Sequence, residues 1–151
     1  MSADFKWEID PIKTADQLSK GLRNKAIRIA MNKASAVVKN AVIAKVPVRY
    51  GYLKKSIKIK LKNYKNSAVW VSVVGPKSDF KRNKGKRKRG PKKGQPITHR
   101  PSNYAKLLEK GTKHAKAHPF LKPALDATKG QFMDTLRQKI EEQVNQLLPK
   151  K

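Results

Sequence analysis

A long helical stripe that Pro47 brings to an end places the strongest constraint on the fold of this chain. Apolar residues recur at helical spacing from about residue 14 to residue 46, and a second apolar row widens the stripe. Thr14 with Gln17 three residues later is a capping-box signature for the helix start. Pro47 disfavours helical geometry at Val46 and lacks a backbone donor. Because many stripe positions are alanines, we expect one helix over 14–46 that another element approaches closely.

Three segments have the alternation or the apolar content of strands. Residues 5–9 alternate apolar and charged side chains, which indicates a short half-buried strand. Residues 56–62 place isoleucine and leucine on one face and lysines on the other. Residues 68–74 are apolar on both faces near their end and are followed by Gly75-Pro76. A polar turn separates the last two segments, so we predict a hairpin whose second strand lies deeper in the sheet.

The C-terminal third of the chain is predicted to be helical. Ser102 could cap a short helix over 103–110, which Gly111 would close in a left-handed conformation. An apolar stripe over 121–147 predicts the last helix. Together these elements predict a single α+β domain over 1–151, in which a small, mostly antiparallel sheet packs against two long helices.

Charge is concentrated in one stretch of the chain, residues 77–100. The whole sequence has 37 Lys and Arg against 10 Asp and Glu, a net charge of +27. The stretch holds 11 Lys or Arg and one acid, Asp79, and so carries +10 of that charge. It has almost nothing apolar to bury, and its glycines and prolines should interrupt any regular element. We therefore predict a long, basic, flexible loop over 77–100.

This basic loop is the main functional candidate. Its cations could neutralise phosphates without reading sequence, dock on an acidic protein surface, or only keep the chain soluble. No aromatic residue is interleaved among them, which argues against base stacking on single strands. The lysine face of the first hairpin strand is a weaker candidate, because solvent-facing lysines are common on exposed sheets. This face could line a channel if the protein forms a ring, and otherwise it is ordinary surface. The predicted contact residues are Lys81, Arg82, Lys84, Lys86, Arg87, Lys88, Arg89, Lys92 and Lys93 in the loop, and Lys58, Lys60 and Lys62 on the strand.

The sequence offers no convergent set of catalytic residues, and we expect no enzyme, cofactor or metal. The absence of cysteine excludes disulfide scaffolds, thiol nucleophiles and thiolate metal sites. His114 and His118 have the spacing of two metal ligands on a helix, but no neighbouring carboxylate completes a site, so solvated loop histidines are expected. Glu109 lies in a basic setting that should lower its pKa, which favours a structural or subunit-bridging salt bridge.

No feature of a secreted or membrane protein is found. The N-terminal residues have no basic start followed by an apolar run. No apolar stretch approaches the roughly 20 residues that a membrane helix needs. We expect a soluble protein made in the cytosol, without a membrane partner.

Two stretches together resemble the gene-product-ten-like family of tailed bacteriophages. The first is Val46-Pro47-Val48-Arg49-Tyr50-Gly51-Tyr52-Leu53-Lys54-Lys55-Ser56-Ile57, which is similar to the family signature except that the usual Thr is Tyr50. The second is Tyr104-Ala105-Lys106-Leu107-Leu108-Glu109-Lys110-Gly111-Thr112, with Ala117-His118-Pro119-Phe120-Leu121-Lys122-Pro123-Ala124 after it. The resemblance covers roughly residues 15–148. Leu53 is expected to enter the core as the hairpin begins, and Phe120 is expected to be an aromatic anchor before the last helix. The motif residues with scaffold roles are Pro47, Gly51, Leu53, Ser56, Tyr104, Glu109, Gly111, Thr112, Pro119, Phe120 and Pro123.

The resemblance implies a structural protein of the virion that acts at the neck, the head–tail junction or the tail end. It implies a homo-oligomeric ring, a hexamer or a dodecamer, around the channel for double-stranded DNA, in contact with portal, neck or tail-tube proteins. Such a protein is made in the host cytoplasm and then located in the virion. The basic loop looks longer and more charged than the family pattern. From the residues alone, a free-standing nucleic-acid-binding protein without sequence specificity is the alternative.

Overall fold

The computed structural model describes residues 19–47, 51–64 and 69–147. The predicted strand at 5–9 and the capping box at Thr14 and Gln17 lie outside these residues. The elements are α1 (Lys20–Lys45), α2 (Tyr52–Ser56), β1 (Ile57–Tyr64), β2 (Val69–Pro76), β3 (Arg82–Lys86), β4 (Pro96–His99), α3 (Pro101–Lys110) and α4 (Leu121–Leu147). This arrangement confirms the predicted α+β class, but the strands form two separate antiparallel pairs rather than one small sheet.

Helix α1 ends where Pro47 predicts and begins later than its apolar stripe suggests. Val46 has extended backbone angles (φ −64°, ψ 124°), and its amide donates to the carbonyl of Val42 at 3.0 Å. At the other end, Ser19 is extended (φ −54°, ψ 147°), so the helix begins at Lys20 and not at residue 14. The Ser19 side chain makes no capping hydrogen bond.

Alanines line the buried face of α1. Ala26, Ala30 and Ala34, each four residues apart, are buried, and the most extensive contact of α1 is with α4. Their small side chains let the helix backbones approach, as predicted. Pro123 lies in the first turn of α4, where a backbone donor is not required within the helix, so it does not disturb the helix.

A short helix, α2, lies between α1 and the first hairpin, where the sequence predicted the beginning of a strand. Gly51 precedes it with φ +68°, and Leu53 is buried as expected. Ser56 ends this helix rather than beginning β1, because its buried hydroxyl donates to the carbonyl of Leu53 at 2.7 Å. That local bond satisfies the side chain in a helical turn.

Strands β1 and β2 form a hairpin with one buried face. Ile57, Ile59 and Leu61 pair with Pro76, Val74 and Ser72 and face α1. Ser72 and Ser35 of α1 share a hydrogen bond between their hydroxyls at 2.5 Å. The prediction that β2 lies deeper in a sheet is wrong, because the pair has no third strand in the described residues and Val73 is 51% exposed.

The basic segment 77–100 is a hairpin and not an irregular loop. Strands β3 and β4 pair Arg82 with His99 and Asn83 with Thr98, whose hydroxyl donates to the Asn83 side chain at 3.1 Å. The pairing then shifts by a bulge. Gly85 lies at this bulge with φ +70°, a conformation that glycine adopts without strain. Gly85, which the sequence analysis expected to interrupt regular structure, therefore permits the pairing of β3 with β4.

Helix α3, unlike α1, begins earlier than predicted, at Pro101. Proline is favoured at the first helical position because its ring fixes φ and no donor is needed there. Ser102 therefore lies inside the first turn, and the cap residue is Arg100. The main core lies where the second half of α1, α2, α3 and the start of α4 meet. It contains Val38, Val42, Val46, Leu53, Ile57, Ala105, Phe120 and Ala124.

Candidate functional site

The β3–β4 hairpin presents most of the cations that the sequence singled out. Its base is held against α2 by a ring contact between His99 and Tyr52, with centroids 5.3 Å apart. Its tip is closed by backbone hydrogen bonds, including Gly94 N–H to the carbonyl of Arg87 at 2.9 Å. Lys84 lies within β3. The exposed cations are Lys81, Arg82, Lys86, Arg87, Lys88, Arg89, Lys92 and Lys93.

The charge of this hairpin is not neutralised by carboxylates within the described part of the chain. Asp79, which lies just before it, is held by Lys77 at 2.7 Å. The hydrogen bond from Lys77 lowers the pKa of Asp79 below its ordinary value. Among residues 69–147, no salt bridge reaches the lysines and arginines of β3 or of the β3–β4 connection. The hairpin is therefore an exposed, positively charged projection that an acidic surface or a phosphate backbone can approach.

The lysine face of β1 is a separate surface. Lys58, Lys60 and Lys62 are exposed, as predicted from their alternation. The register places them opposite Gly75, Val73 and Val71, so this side of the hairpin mixes cations with exposed valines. Sequence reasoning missed the valines, since only the pairing register shows which residues of β2 share a face with the lysines. The structure does not bring this face and the β3–β4 hairpin into one sheet.

Glu109 does not make the predicted salt bridge in the described structure. Its carboxylate accepts hydrogen bonds from the backbone amides of Phe120 (2.9 Å), Leu121 (3.0 Å) and Lys122 (3.0 Å). These are amides at the start of α4, which have no acceptor within the helix. Glu109 of α3 thus caps α4, and its negative charge also interacts favourably with the helix dipole.

The pKa of Glu109 follows from this geometry. Partial burial disfavours the charged carboxylate, but the three amide donors together outweigh burial and hold the pKa of Glu109 below its ordinary value. The predicted direction was correct, and the predicted cause, neighbouring cations, was wrong.

Gly111 and Thr112 shape the connection between α3 and α4. Gly111 has the predicted positive φ, +76°, with an extended ψ of −179°. A Cβ there would lie 2.8 Å from the backbone nitrogen of Ala117. The amide of Thr112 donates to the carbonyl of Ala115 at 2.9 Å, and the amide of His118 donates to Leu108 at 2.7 Å.

The remaining motif residues differ in burial. Phe120 is fully buried just before α4, whereas Pro119 beside it is exposed. Tyr104 packs against the core, and burial raises its pKa. Pro47, after α1, is exposed.

His114 and His118, which are spaced like two metal ligands on a helix, are both exposed in the connection before α4. Across residues 19–47, 51–64 and 69–147, no group of three or more His, Asp or Glu side chains is placed to hold a metal ion. Within the same ranges, every helix is too short or too polar to span a membrane.

A comparison with protein families gives a match over more than half of the chain. The family described as "Bacteriophage HK97-gp10, putative tail-component" matches residues 10–111. The matched range includes α1, both hairpins and α3, and it ends at Gly111, before α4. No curated protein and no solved structure matches the chain.

Proposed function

Because the chain belongs to the HK97 gp10-like family of bacteriophage tail components, we propose that it is a neck or tail-completion protein. In this role it forms a closed ring of identical copies at the head–tail junction, around the channel through which double-stranded DNA passes. Its ring is a hexamer or a dodecamer, and its neighbours are portal, neck or tail-tube proteins. The family match over more than half of the chain is the observation that carries the proposal.

The exposed strands support the ring. Both sheets have only two strands in the described structure, so every strand has an edge without a backbone partner. Closed cyclic assembly covers such edges and leaves no copy with an unpaired surface.

The β3–β4 hairpin supports contact with acidic neighbours. Its exposed cations lie on a paired scaffold anchored at its base, so they project together from one site. We assign to it electrostatic contact either with DNA in the channel or with an acidic surface of the next protein in the particle. The exposed hairpin also favours a second candidate, a free-standing nucleic-acid-binding protein, which would bind DNA tightly as a monomer.

The proposal is tested by locating the protein in particles. Native mass spectrometry of the purified chain should give a cyclic oligomer, and electron microscopy of virions should place it between head and tail. Deleting its gene should leave separate heads and tails, or tails of abnormal length, in the lysate. A monomeric protein that is absent from virions, whose deletion leaves particles intact, would refute this function.

A further inference from the structure

The outward side of the β1–β2 hairpin is an exposed surface that combines apolar and positively charged rows. We call it the valine–lysine face. One row is Val69, Val71 and Val73 of β2, and the other is Lys58, Lys60 and Lys62 of β1. The valines are between about a third and a half exposed, and Val73 is 51% exposed. Contiguous apolar patches that are exposed on a protein surface are characteristic of contacts with other proteins.

The distribution of charge limits which part of a second copy could cover this face. Residues 19–120 contain 29 Lys and Arg against two acids, so they hold the whole net charge of +27. Helix α4, over Leu121–Leu147, contains four cations and four acids. Most of a second copy would therefore repel the lysines of the valine–lysine face, and α4 is the described element that carries more than one acidic side chain to attract them.

The outward face of α4 offers the complementary pattern. Leu125 and Met133 are 52% and 42% exposed and lie eight residues apart on one ridge of the helix. Leu125 also lines a groove between α4, α1 and β2 of its own chain. Asp126 and Asp134, also exposed, lie on the next ridge. Lys129, between the two apolar residues, can lay its stem along them while its charge extends to water.

Gly130 lies between the two aspartates and gives a second, independent indication. A Cβ at this position would meet nothing within 4 Å, so the fold of the chain itself does not require glycine. Glycine in a helix interior is destabilising relative to alanine. A close approach by another molecule at this point of α4 accounts for a residue that the chain alone does not need.

The two surfaces also match in length. Lys58 and Lys62 are four residues apart on a strand, which spans about 13 Å. Asp126 and Asp134 are eight residues apart on a helix, which spans about 12 Å. Valines and lysines on one surface therefore align with leucine, methionine and aspartates on the other.

We infer that the valine–lysine face of one copy docks on the outward face of α4 of the next copy. Lys58 and Lys62 pair with the aspartates, and the valines pack on Leu125 and Met133. The contact joins two different surfaces, so it is head-to-tail and closes into a ring when the rotation permits. This inference rests on the proposed function, because it specifies the interface of the proposed oligomer.

The test is a charge swap followed by measurement of mass in light scattering at about 100 mM salt. Reversing the three lysines (Lys58→Glu, Lys60→Glu, Lys62→Glu) should dissociate the oligomer, with at least a tenfold weaker association. Reversing the aspartates (Asp126→Lys, Asp134→Lys) should do the same. Combining both sets should restore the wild-type mass. The matched control reverses three exposed cations of the β3–β4 hairpin (Lys88→Glu, Arg89→Glu, Lys92→Glu) and should leave the mass unchanged.

A disulfide test does not depend on charge reversal. The chain has no cysteine, so Val71→Cys combined with Met133→Cys creates a single pair across the inferred contact. Mild oxidation should link copies into a ladder or a closed ring, whereas each single-cysteine variant should stop at a dimer.

The outcomes separate the interface from the function. A wild-type monomer at all concentrations refutes the proposed ring and this interface with it. If the wild type is an oligomer, three results would each refute the interface alone. They are an unchanged mass in both charge-reversal variants, a combined variant that does not recover the wild-type mass, and a cysteine pair that gives no ladder on oxidation. Circular dichroism of each variant confirms that a loss of mass is not a loss of fold.

Discussion

The Glu109 carboxylate joins two helices that are separate in sequence. It belongs to the last turn of α3, and its three donors belong to the first residues of α4 and the residue before them. The same connection contains Gly111, whose backbone conformation and neighbours exclude a side chain. Residues of the second motif thus set the direction in which α4 leaves α3.

Glu109→Gln should weaken this junction and change the acid stability of the protein. The folded-state pKa of Glu109 lies below its unfolded value near 4.3, so its stabilisation is full above that value and is lost as pH falls through the folded pKa. At pH 7 we expect the free energy of unfolding to fall by about 1–2 kcal/mol, since the carboxylate is partly exposed. Urea titrations at pH 7 and pH 3 should show a smaller difference between variant and wild type at pH 3.

The matched control is Glu141→Gln, an exposed acid on α4. It should leave the stability at pH 7 within about 0.5 kcal/mol of wild type. An equal loss at both pH values for Glu109→Gln would contradict the charged cap.

Gly111→Ala should destabilise the protein more than Gly51→Ala. Both glycines have positive φ, so each substitution strains the backbone by about 1–2 kcal/mol. Only Gly111 has backbone atoms within 3 Å of the added Cβ, whereas the space at Gly51 is open. Thermal unfolding should therefore show a lower Tm for Gly111→Ala, and equal effects would contradict the close approach.

At the residue scale, sequence reasoning identified the buried anchors and could not identify their polar partners. Phe120 and Leu53 were predicted to be buried because they are large apolar residues beside turn residues. The partners of Glu109 were missed because the acceptor and its donors are more than ten residues apart and the donors are backbone amides. Composition shows that cations are near Glu109 in the sequence, but it does not show that the backbone amides at the start of α4 lack an acceptor.

At the scale of elements, periodicity predicted the long helices and misjudged the hairpins. The 3.6-residue stripe of α1 was visible because a buried helix face repeats over many turns. The β3–β4 hairpin was missed because Gly85, Gly90 and Gly94 indicated a loop, while in the structure they occupy positive φ at its bulge and turns. The depth of β2 was misjudged since an apolar strand does not show how many neighbours it has.

Ala34→Leu should disturb the packing of α1 on α4. Ala34 is fully buried in the helix that packs on α4, so the larger side chain must displace a neighbouring element or adopt a strained rotamer. The expected loss is about 1–3 kcal/mol in the free energy of unfolding, measured by urea denaturation. Ala44→Leu, at an exposed position of the same helix, is the control and should cost little. A neutral Ala34→Leu would show that the helix pair is loosely packed.

At the scale of the whole molecule, charge is divided between a strongly basic body and a neutral last helix. The basic hairpin belongs to the first part and lies within the family match, whereas α4 lies after it. The sequence revealed the charge but not this arrangement on surfaces, which depends on strand register and helix packing.

Neutralising the hairpin tip should reduce the salt dependence of DNA binding by the purified chain. Arg87→Ala, Lys88→Ala and Arg89→Ala together should make the negative slope of log affinity against log salt shallower by about 2.7, near 0.9 per phosphate contact. Lys25→Ala, Lys33→Ala and Lys45→Ala remove the same charge from exposed positions of α1 and should change the slope less. Fluorescence anisotropy with a short DNA duplex, repeated at several salt concentrations, measures the slope for each triple variant. Equal slopes for the two variants would assign the DNA contact to overall charge rather than to the hairpin.

The two-stranded sheets affect how copies of the chain interact before they assemble. An open strand edge accepts any extended segment that meets it, and newly made copies are the segments present at the highest local concentration during synthesis. A net charge of +27 gives each copy a long-range repulsion that keeps such encounters brief in dilute solution. In the proposed ring, only copies joined by specific contacts would stay together against this repulsion, so unspecific pairing of strand edges is disfavoured.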